Sequence, residues 1–464
     1  MPYPLEPTPE DARAMGMAAL EFVQSYVNGL ADRPASDFDG ATELAAELRE
    51  PAPEEGQPFA KLLDVVARGA TTGVTTAGPG YLAYIPGGGL YASVLADFVA
   101  AAANKYVTVW NLAPGFSQIE ATVLRWLCDL FGYPASARGV LTSGGSLANF
   151  SAIVTARTAL LPENFLDGVI YVTGQTHASC AKSAMLAGFP RANVRAVPTL
   201  NALTMDPQAL DDLVEEDRRA GHRPFLVIGN AGTTNTGAVD PLDALGAVAR
   251  RQDLWFHVDG AYGGPFQLTD RGRTAFRGIE TADSITLDPH KAMFLPYGTG
   301  ALLVRDGARL RAAHHVGADY LQDLSAEEDI PNFTEYSPEL TRRFRGLALW
   351  LPIKLHGLAA FRAALDEKLD LARYAYEELV AAGFEVPWEP QLSTVAFRIP
   401  GEDDRPSQEL LQRVNAGGRV FLSSTLIAGR FFLRLSIVSF RTHRDRIEEA
   451  LQAIGHPQQP ISMD

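Results

Sequence analysis

Lys291 closes the run Asp283-Ser-Ile-Thr-Leu-Asp-Pro-His-Lys291, in which an apolar stretch that reads as a strand ends in a polar tip. A strand end fixes an amine on a rigid scaffold, as a nucleophilic lysine requires. Upstream, Trp255-Phe-His-Val-Asp259 is a second apolar run ending in an acid, followed by the small residues Gly260-Ala261. A lysine and an aspartate on neighbouring strand ends suit pyridoxal phosphate chemistry. The amine forms a Schiff base, and the carboxylate holds the pyridine nitrogen protonated.

Three more polar tips follow apolar runs. Thr142-Ser-Gly-Gly-Ser146 precedes a helical segment, Leu147 to Ala159. Its glycines let backbone N–H groups approach an anion, and Ser146 either caps the helix or donates to a phosphate. His177 follows the strand Gly168 to Val172 and opens a helix, where an imidazole can stack on a flat heterocycle or serve structure alone. Thr233-Thr234 in Gly232-Thr-Thr-Asn-Thr-Gly237 offers hydroxyls, or an ordinary turn. Asp259 alone could cap a helix, and Lys291 alone could be a solvated charge. Five such tips, each after a separate strand, fit one phosphorylated aromatic cofactor.

The elements that must position them are short apolar runs separated by helix-length segments: Gly139–Thr142, Gly168–Val172, Val194–Val197, Phe225–Ile228, Leu254–Val258, Ser284–Leu287 and Ala301–Val304. Continuous apolar strands alternating with helices predict an α/β fold with a mostly parallel sheet covered on both faces and a site at the strands' carboxyl ends. Ahead of it, amphipathic helices over Glu10–Leu30 and Ala41–Leu48 read as an arm, and the Ala-rich Tyr91–Ala103 as a buried helix. Asp319 to Ser337 reads as a long exposed loop of the kind that serves as a lid, and Arg342 begins a helix through Leu355. Mixed patterns from Phe361 onward suggest a smaller α+β unit. The expected division is 1–85 as helical arm, 86–350 as large domain and 351–464 as small domain.

The chain has 464 residues, 47% of them hydrophobic, enough for a large core with a deep site. A net charge of −15 without a basic patch argues against nucleic-acid partners. No apolar run reaches the roughly 18 residues of a membrane span. The opening Met1-Pro-Tyr-Pro-Leu-Glu6 has no basic start or apolar core, so a cytoplasmic location is expected. The two cysteines, Cys128 and Cys180, form no Cys-x-x-Cys pair and the nine histidines show no metal spacing, so no metal is expected.

Five motifs in order, Trp110-Asn-Leu-Ala-Pro-Gly-Phe-Ser-Gln-Ile-Glu120, Thr142 to Asn149, Gln175-Thr-His-Ala-Ser179, His257-Val-Asp-Gly-Ala-Tyr262 and Asp288-Pro-His-Lys291, carry a resemblance. From about Gly80 to Phe440 the chain resembles the group II pyridoxal phosphate decarboxylases, the aromatic-L-amino-acid and glutamate decarboxylase family of fold type I. The resemblance implies an aspartate aminotransferase-like large domain with a seven-stranded sheet, a helical arm and a small C-terminal domain. It implies decarboxylation of an L-amino acid to an amine and CO2. It also implies that Lys291 carries pyridoxal 5'-phosphate, Asp259 pairs with its ring nitrogen and His177 stacks on the ring. Gly144, Gly145, Ser146 and His290 would hold the phosphate, with Asp288 and Thr234 nearby and Ala261 against the cofactor. Two subunits would share each active site in a homodimer.

One departure bears on the product. Counting back from Arg342-Arg343-Phe344-Arg345, the family's loop tyrosine, which protonates the substrate carbon, matches Phe333, while Tyr336 lies three residues on. Phenylalanine there is associated in the family with oxidative release of an aldehyde. Transamination is a further fold type I alternative, and a non-catalytic anion-binding α/β protein would have no use for Lys291 beside Asp259. Substrate walls are expected from Tyr84, Ile85, Pro86, Tyr106, Thr108 and Trp110, favouring an aromatic amino acid. Thr108 and Ile85 stand where the aromatic enzymes carry phenylalanines, and Gly87-Gly88-Gly89 is expected to widen the entrance. With no arginine in that segment, an acidic substrate is disfavoured.

Overall fold

The structure, a computed structural model, describes residues 5–316 and 331–457. Seven strands form the central sheet: β1 (Arg138–Thr142), β2 (Gly168–Thr173), β3 (Val194–Val197), β4 (Arg223–Asn230), β5 (Trp255–Gly260), β6 (Ser284–Leu287) and β7 (Gly300–Val304). Their order is β1-β7-β6-β5-β4-β2-β3. Every pairing is parallel except those that β7 makes with β1 and β6. All seven predicted strands are present, within two residues at either end.

Alternation along each strand explains the continuous apolar runs. Leu141, Tyr171, Val227, Val258, Ile285 and Leu303 enter one core, whereas Val140, Ile170, Leu226, Ile228, Trp255 and Leu302 enter the core on the opposite face. The helix Gly145–Leu160 lies across the second face, with Ala148, Ala152 and Ala156 at four-residue spacing on its buried side. Small side chains let it ride close over the sheet and hold its amino end at the tip of β1.

The C-terminal unit packs helices against the antiparallel strands β8 (Thr394–Phe397), β9 (Ser423–Ile427) and β10 (Arg430–Ser436), in the order β8-β10-β9. Residues 80–84 run alongside it: Leu82 donates to the Phe421 carbonyl and accepts from the Ser436 amide. The N-terminal helices Pro9–Asn28 and Phe59–Thr71 bury no residue within the chain.

Three expectations are corrected. The helix expected from Arg342 starts at Gly346 and reaches Ala381, broken at Gly357 where φ is +74°. Its start is delayed because the Arg342 side chain dives inward to Glu120. Tyr91–Ala103 is a helix, yet it is only half covered: Ala92, Ala96 and Ala100 are buried while Phe98 is 70% exposed. Of the expected exposed loop, 319–330 lies outside the described residues, and 331–337 is largely packed, with Phe333 buried in a short 3-10 turn, Phe333–Glu335. No helix among the described residues is long and apolar enough to cross a membrane.

Candidate active site

The carboxyl ends of β1, β2, β4, β5 and β6 converge on a cavity of about 300 Å³. Its lining includes Ser143 to Ser146, His177, Thr233 and Thr234, Asp259 and Ala261, and Asp288, His290 and Lys291. All five polar tips therefore meet, because parallel strands deliver their carboxyl ends to one edge.

After β6, a turn in which the Lys291 amide donates to the Asp288 carbonyl at 2.8 Å projects the lysine into the cavity. Lys291 Nζ lies 3.0 Å from Asp288 Oδ2. The other Asp288 oxygen, Oδ1, is buried without a hydrogen-bond partner among the described residues. His290 gives its Nδ1 hydrogen to the Thr299 carbonyl at 2.7 Å, leaving Nε2 toward the cavity side near Asp288. Burial pushes the His290 imidazole below its ordinary value, against the pull of Asp288.

Gly144 and Gly145 open the helix at the tip of β1. A Cβ on Gly145 would stand 2.9 Å from Asp288 Oδ2 and 3.2 Å from Ala261 Cβ, so only glycine keeps this floor open. The first amides of the helix have no acceptor within it and face an anion's position. His177 caps its own helix, Ala178–Leu186, by accepting from the Ser179 amide through Nδ1 at 3.2 Å.

Asp259 is the most supported group. Its Oδ1 accepts from the Ala261 amide at 3.0 Å, and its Oδ2 accepts from Asn149 Nδ2 at 3.0 Å and from the Cys180 thiol at 3.6 Å. Neither Asn149, at the end of the motif from Thr142, nor Cys180 is assigned a role by the sequence. Nor are Asn230 and buried Asp240, whose 2.7 Å hydrogen bond ties the β4 tip down.

The expected substrate residues fall into two groups. Gly87, next after Pro86, packs on the lysine turn, where a Cβ would clash with the His290 carbonyl oxygen, but Tyr84, Ile85 and Pro86 are not among the residues lining the Lys291 cavity. Gly87 and Gly88 thus permit close packing, against His290 and against Ser439 and Phe440, so the expectation that the triplet widens the entrance is corrected at its first two residues; Gly89 meets nothing within 4 Å. Tyr297, edge-on to His290 at 5.7 Å between ring centres, extends this wall. Arg434 of β10 donates to the Tyr84 carbonyl at 3.0 Å and has no carboxylate partner among the described residues. Burial lowers its guanidinium to about 10. A cation therefore stands beside the wall although none is near in sequence.

The second group is held elsewhere in the chain. Tyr106 donates to the Leu340 carbonyl at 3.0 Å, Thr108 accepts from the Thr334 amide at 3.3 Å, and the Trp110 amide donates to Asn332 at 3.0 Å. Phe333 and Tyr336 line a separate cavity of about 250 Å³ with Gln118, Arg125 and Cys128. A single chain does not bring these five residues to the Lys291 cavity.

Burial of His257 beneath this floor makes stability depend on pH. Its imidazole is held at about 4, chiefly by burial and against the charge of Asp259. Unfolded chains take up that proton near pH 6.5, so the unfolded state binds more protons between pH 6.5 and 4 and stability falls as the pH drops through that window. Roughly 3 kcal/mol is at stake for His257. The buried Asp240 and Asp283 carboxyls, raised by burial, act in the opposite sense as the pH falls. Urea unfolding at pH 7 and pH 4.5 is expected to show a loss that His257→Gln reduces; an unchanged pH slope in the variant would contradict the assignment.

A parallel sheet whose carboxyl edge gathers an amine, a supported carboxylate, an imidazole and a glycine floor at a helix start defines an enzyme that holds a flat, phosphorylated cofactor. Residues 42–400 match the model of the pyridoxal-dependent decarboxylase conserved domain. The chain belongs to the pyridoxal-dependent decarboxylase family; it is a pyridoxal phosphate enzyme of the carboxy-lyase type. It is 35% identical to an aromatic-L-amino-acid decarboxylase of Bacillus atrophaeus, over 99% of this chain and 98% of that protein. It is 29% identical to a phenylacetaldehyde synthase of Arabidopsis thaliana, over 96% and 95%. Among solved structures, Oryza sativa TDC with PLP and tryptamine superposes with a TM-score of 0.92 at 28% identity, covering 98% of each chain.

Proposed function

We propose that this enzyme decarboxylates an aromatic L-amino acid to the corresponding amine. The carrying observation is the convergence of Lys291, Asp259, His177 and the Gly144–Ser146 floor in one cavity, in a chain 35% identical to an aromatic-L-amino-acid decarboxylase along its length. The residues fit pyridoxal phosphate: the floor is open to an anion, Asp259 has an acceptor position left over, and buried Asp288 Oδ1 lacks a partner among the described residues.

When bound, the cofactor supplies a carbonyl for the substrate amine and a ring that withdraws electrons from the bond to the carboxylate. Lys291 would hold it covalently and would carry a proton to the substrate carbon, with Asp288 beside the amine at 3.0 Å. Asp259 would accept from the ring nitrogen. His177 and Ala261 would bound the ring, and Gly144, Gly145, Ser146 and His290 would hold the phosphate, with Thr234 beside them. Tyr84, Ile85, Pro86 and Tyr297 offer the apolar wall for the side chain.

The protein works as a homodimer in this reading. Support comes from the arm helices, which bury nothing within the chain, and from Phe98, Val99, Leu355 and Leu358, exposed on two helices that pack together. Tyr106, Thr108, Trp110, Phe333 and Tyr336 are gathered away from their own cavity, with Thr108 and Phe333 buried.

Phe333 favours a second reading, because it lacks a hydroxyl and the relatives include phenylacetaldehyde synthases. In that case substrate, O2 and water yield aldehyde, CO2, ammonia and hydrogen peroxide. Turnover of tyrosine, phenylalanine and tryptophan in air is expected to give amine and CO2 in equal amounts. Peroxide and ammonia formed in proportion to substrate consumed would establish the oxidative reading instead.

A further inference from the structure

Asp259 ends a line of buried hydrogen bonds that begins four residues earlier on the same strand and crosses to the neighbouring strand and helix. Trp255 Nε1 donates to Ser284 Oγ at 2.8 Å, and Ser284 Oγ is 2.8 Å from His257 Nδ1. His257 Nε2 is 3.1 Å from Asn149 Oδ1, and Asn149 Nδ2 reaches Asp259 Oδ2 at 3.0 Å. All five side chains are buried.

One arrangement of hydrogens satisfies the whole line. The Asn149 carbonyl oxygen only accepts, so His257 carries its proton on Nε2. Nδ1 is then an acceptor and takes the Ser284 hydroxyl hydrogen, while Ser284 oxygen takes the indole hydrogen of Trp255, which can only donate. With its amide fixed this way, Asn149 turns both N–H bonds toward Asp259 Oδ2 and Ser179 Oγ, the latter at 3.1 Å. Each link sends its hydrogen toward Asp259, and polarisation along such a chain strengthens the last bond. A proton gained by His257 would turn Nδ1 into a donor and reverse the Ser284 link, which its burial opposes.

The carboxylate has about four acceptor positions. Ala261, Asn149 and Cys180 fill three; the Cys180 thiol stays a donor because burial pushes it well above its ordinary range. One position remains, on Oδ1.

We infer that Asn149 is a positioning residue for the reaction: held by the Trp255–Ser284–His257 line, it turns Asp259 so that its one unused acceptor position keeps a proton on the cofactor's ring nitrogen. The inference rests on the cofactor reading proposed above. It adds residues that set the ring's protonation through Asp259, much as outer partners orient metal-bound histidines.

The test uses holoenzyme reconstituted with pyridoxal phosphate labelled with 15N in the ring. Wild type is expected to show the shift of a protonated ring nitrogen. Asn149→Asp and Asn149→Ala are expected to move it toward the unprotonated value and to weaken cofactor binding about 10-fold or more. His257→Leu should behave like Asn149→Ala, whereas His257→Gln, which keeps an N–H toward Asn149 Oδ1, should restore the protonated shift. A purely packing role would lower the melting temperature of all four variants without moving the nitrogen shift. Folded Asn149 variants with a protonated ring nitrogen and binding within about twofold of wild type would overturn the inference. Should neither Asn149 variant fold, histidine 15N shifts of unaltered holoenzyme decide: a neutral Nε2–H tautomer for His257 supports the line, and an Nδ1–H tautomer or an imidazolium overturns it. Failure of wild type to bind the cofactor at all would instead refute the underlying site, a separable result.

Discussion

Lys291→Ala is expected to lower decarboxylase turnover on the order of 10³-fold or more, with no borohydride-stable attachment of pyridoxal phosphate. The amine sits 3.0 Å from Asp288 Oδ2 on a turn anchored by β6, so no other lysine replaces it in the cavity lining. Lys291→Arg sharpens the test. It keeps a cation beside Asp288 yet offers a guanidinium that stays charged and does not condense with a carbonyl, so its turnover should fall as far. Lys291→Ala also leaves Asp288 buried without its cation, and some loss of stability follows. Activity is therefore compared per folded protein, with circular dichroism as the check. An alanine variant within tenfold of wild type, or one in which borohydride still fixes the cofactor to the chain, would remove Lys291 from the proposed role.

What was legible in the sequence follows from how the sheet is built. Lys291, Asp259 and His177 each follow a strand buried on both faces, and such a strand is written as an unbroken apolar run with a sharp polar end. The end of the run marks the edge where the site forms. Asn149 and Ser284 are also polar and also essential to the geometry, but they lie inside a helix and at a strand start, where one polar residue among apolar ones carries no local signal. Asn149 meets Asp259 across 110 positions, and Arg434 meets Tyr84 across 350. Only the packed sheet brings such pairs together. The same limit misjudged the segment around Phe333. Its acidic, proline-interrupted composition reads as solvent-exposed, yet Phe333 is 2% exposed beneath the Arg342 guanidinium, 4.9 Å from its ring centre.

That guanidinium is the basis of the largest expected effect on stability. Arg342 pairs with Glu120 of the helix Pro114–Leu130, and both side chains are completely buried. Glu120 Oε2 and Arg342 Nε have no partner among the described residues, so each ion depends on the other for compensation. Removing one leaves a bare buried charge, and Arg342→Leu is expected to lower the unfolding free energy by about 3–5 kcal/mol. Glu120→Gln keeps the shape and one acceptor and should cost less. The double variant Glu120→Leu/Arg342→Leu should recover much of the loss, since an apolar pair avoids the desolvation that the ion pair only partly offsets. Urea denaturation of the three variants in a double-mutant cycle measures the coupling. A single Arg342→Leu cost below about 1 kcal/mol would mean that water reaches Glu120. A large coupling would show that the ion pair clamps the segment 331–345 to the helix Pro114–Leu130. It would also fix the position of Phe333 and Tyr336.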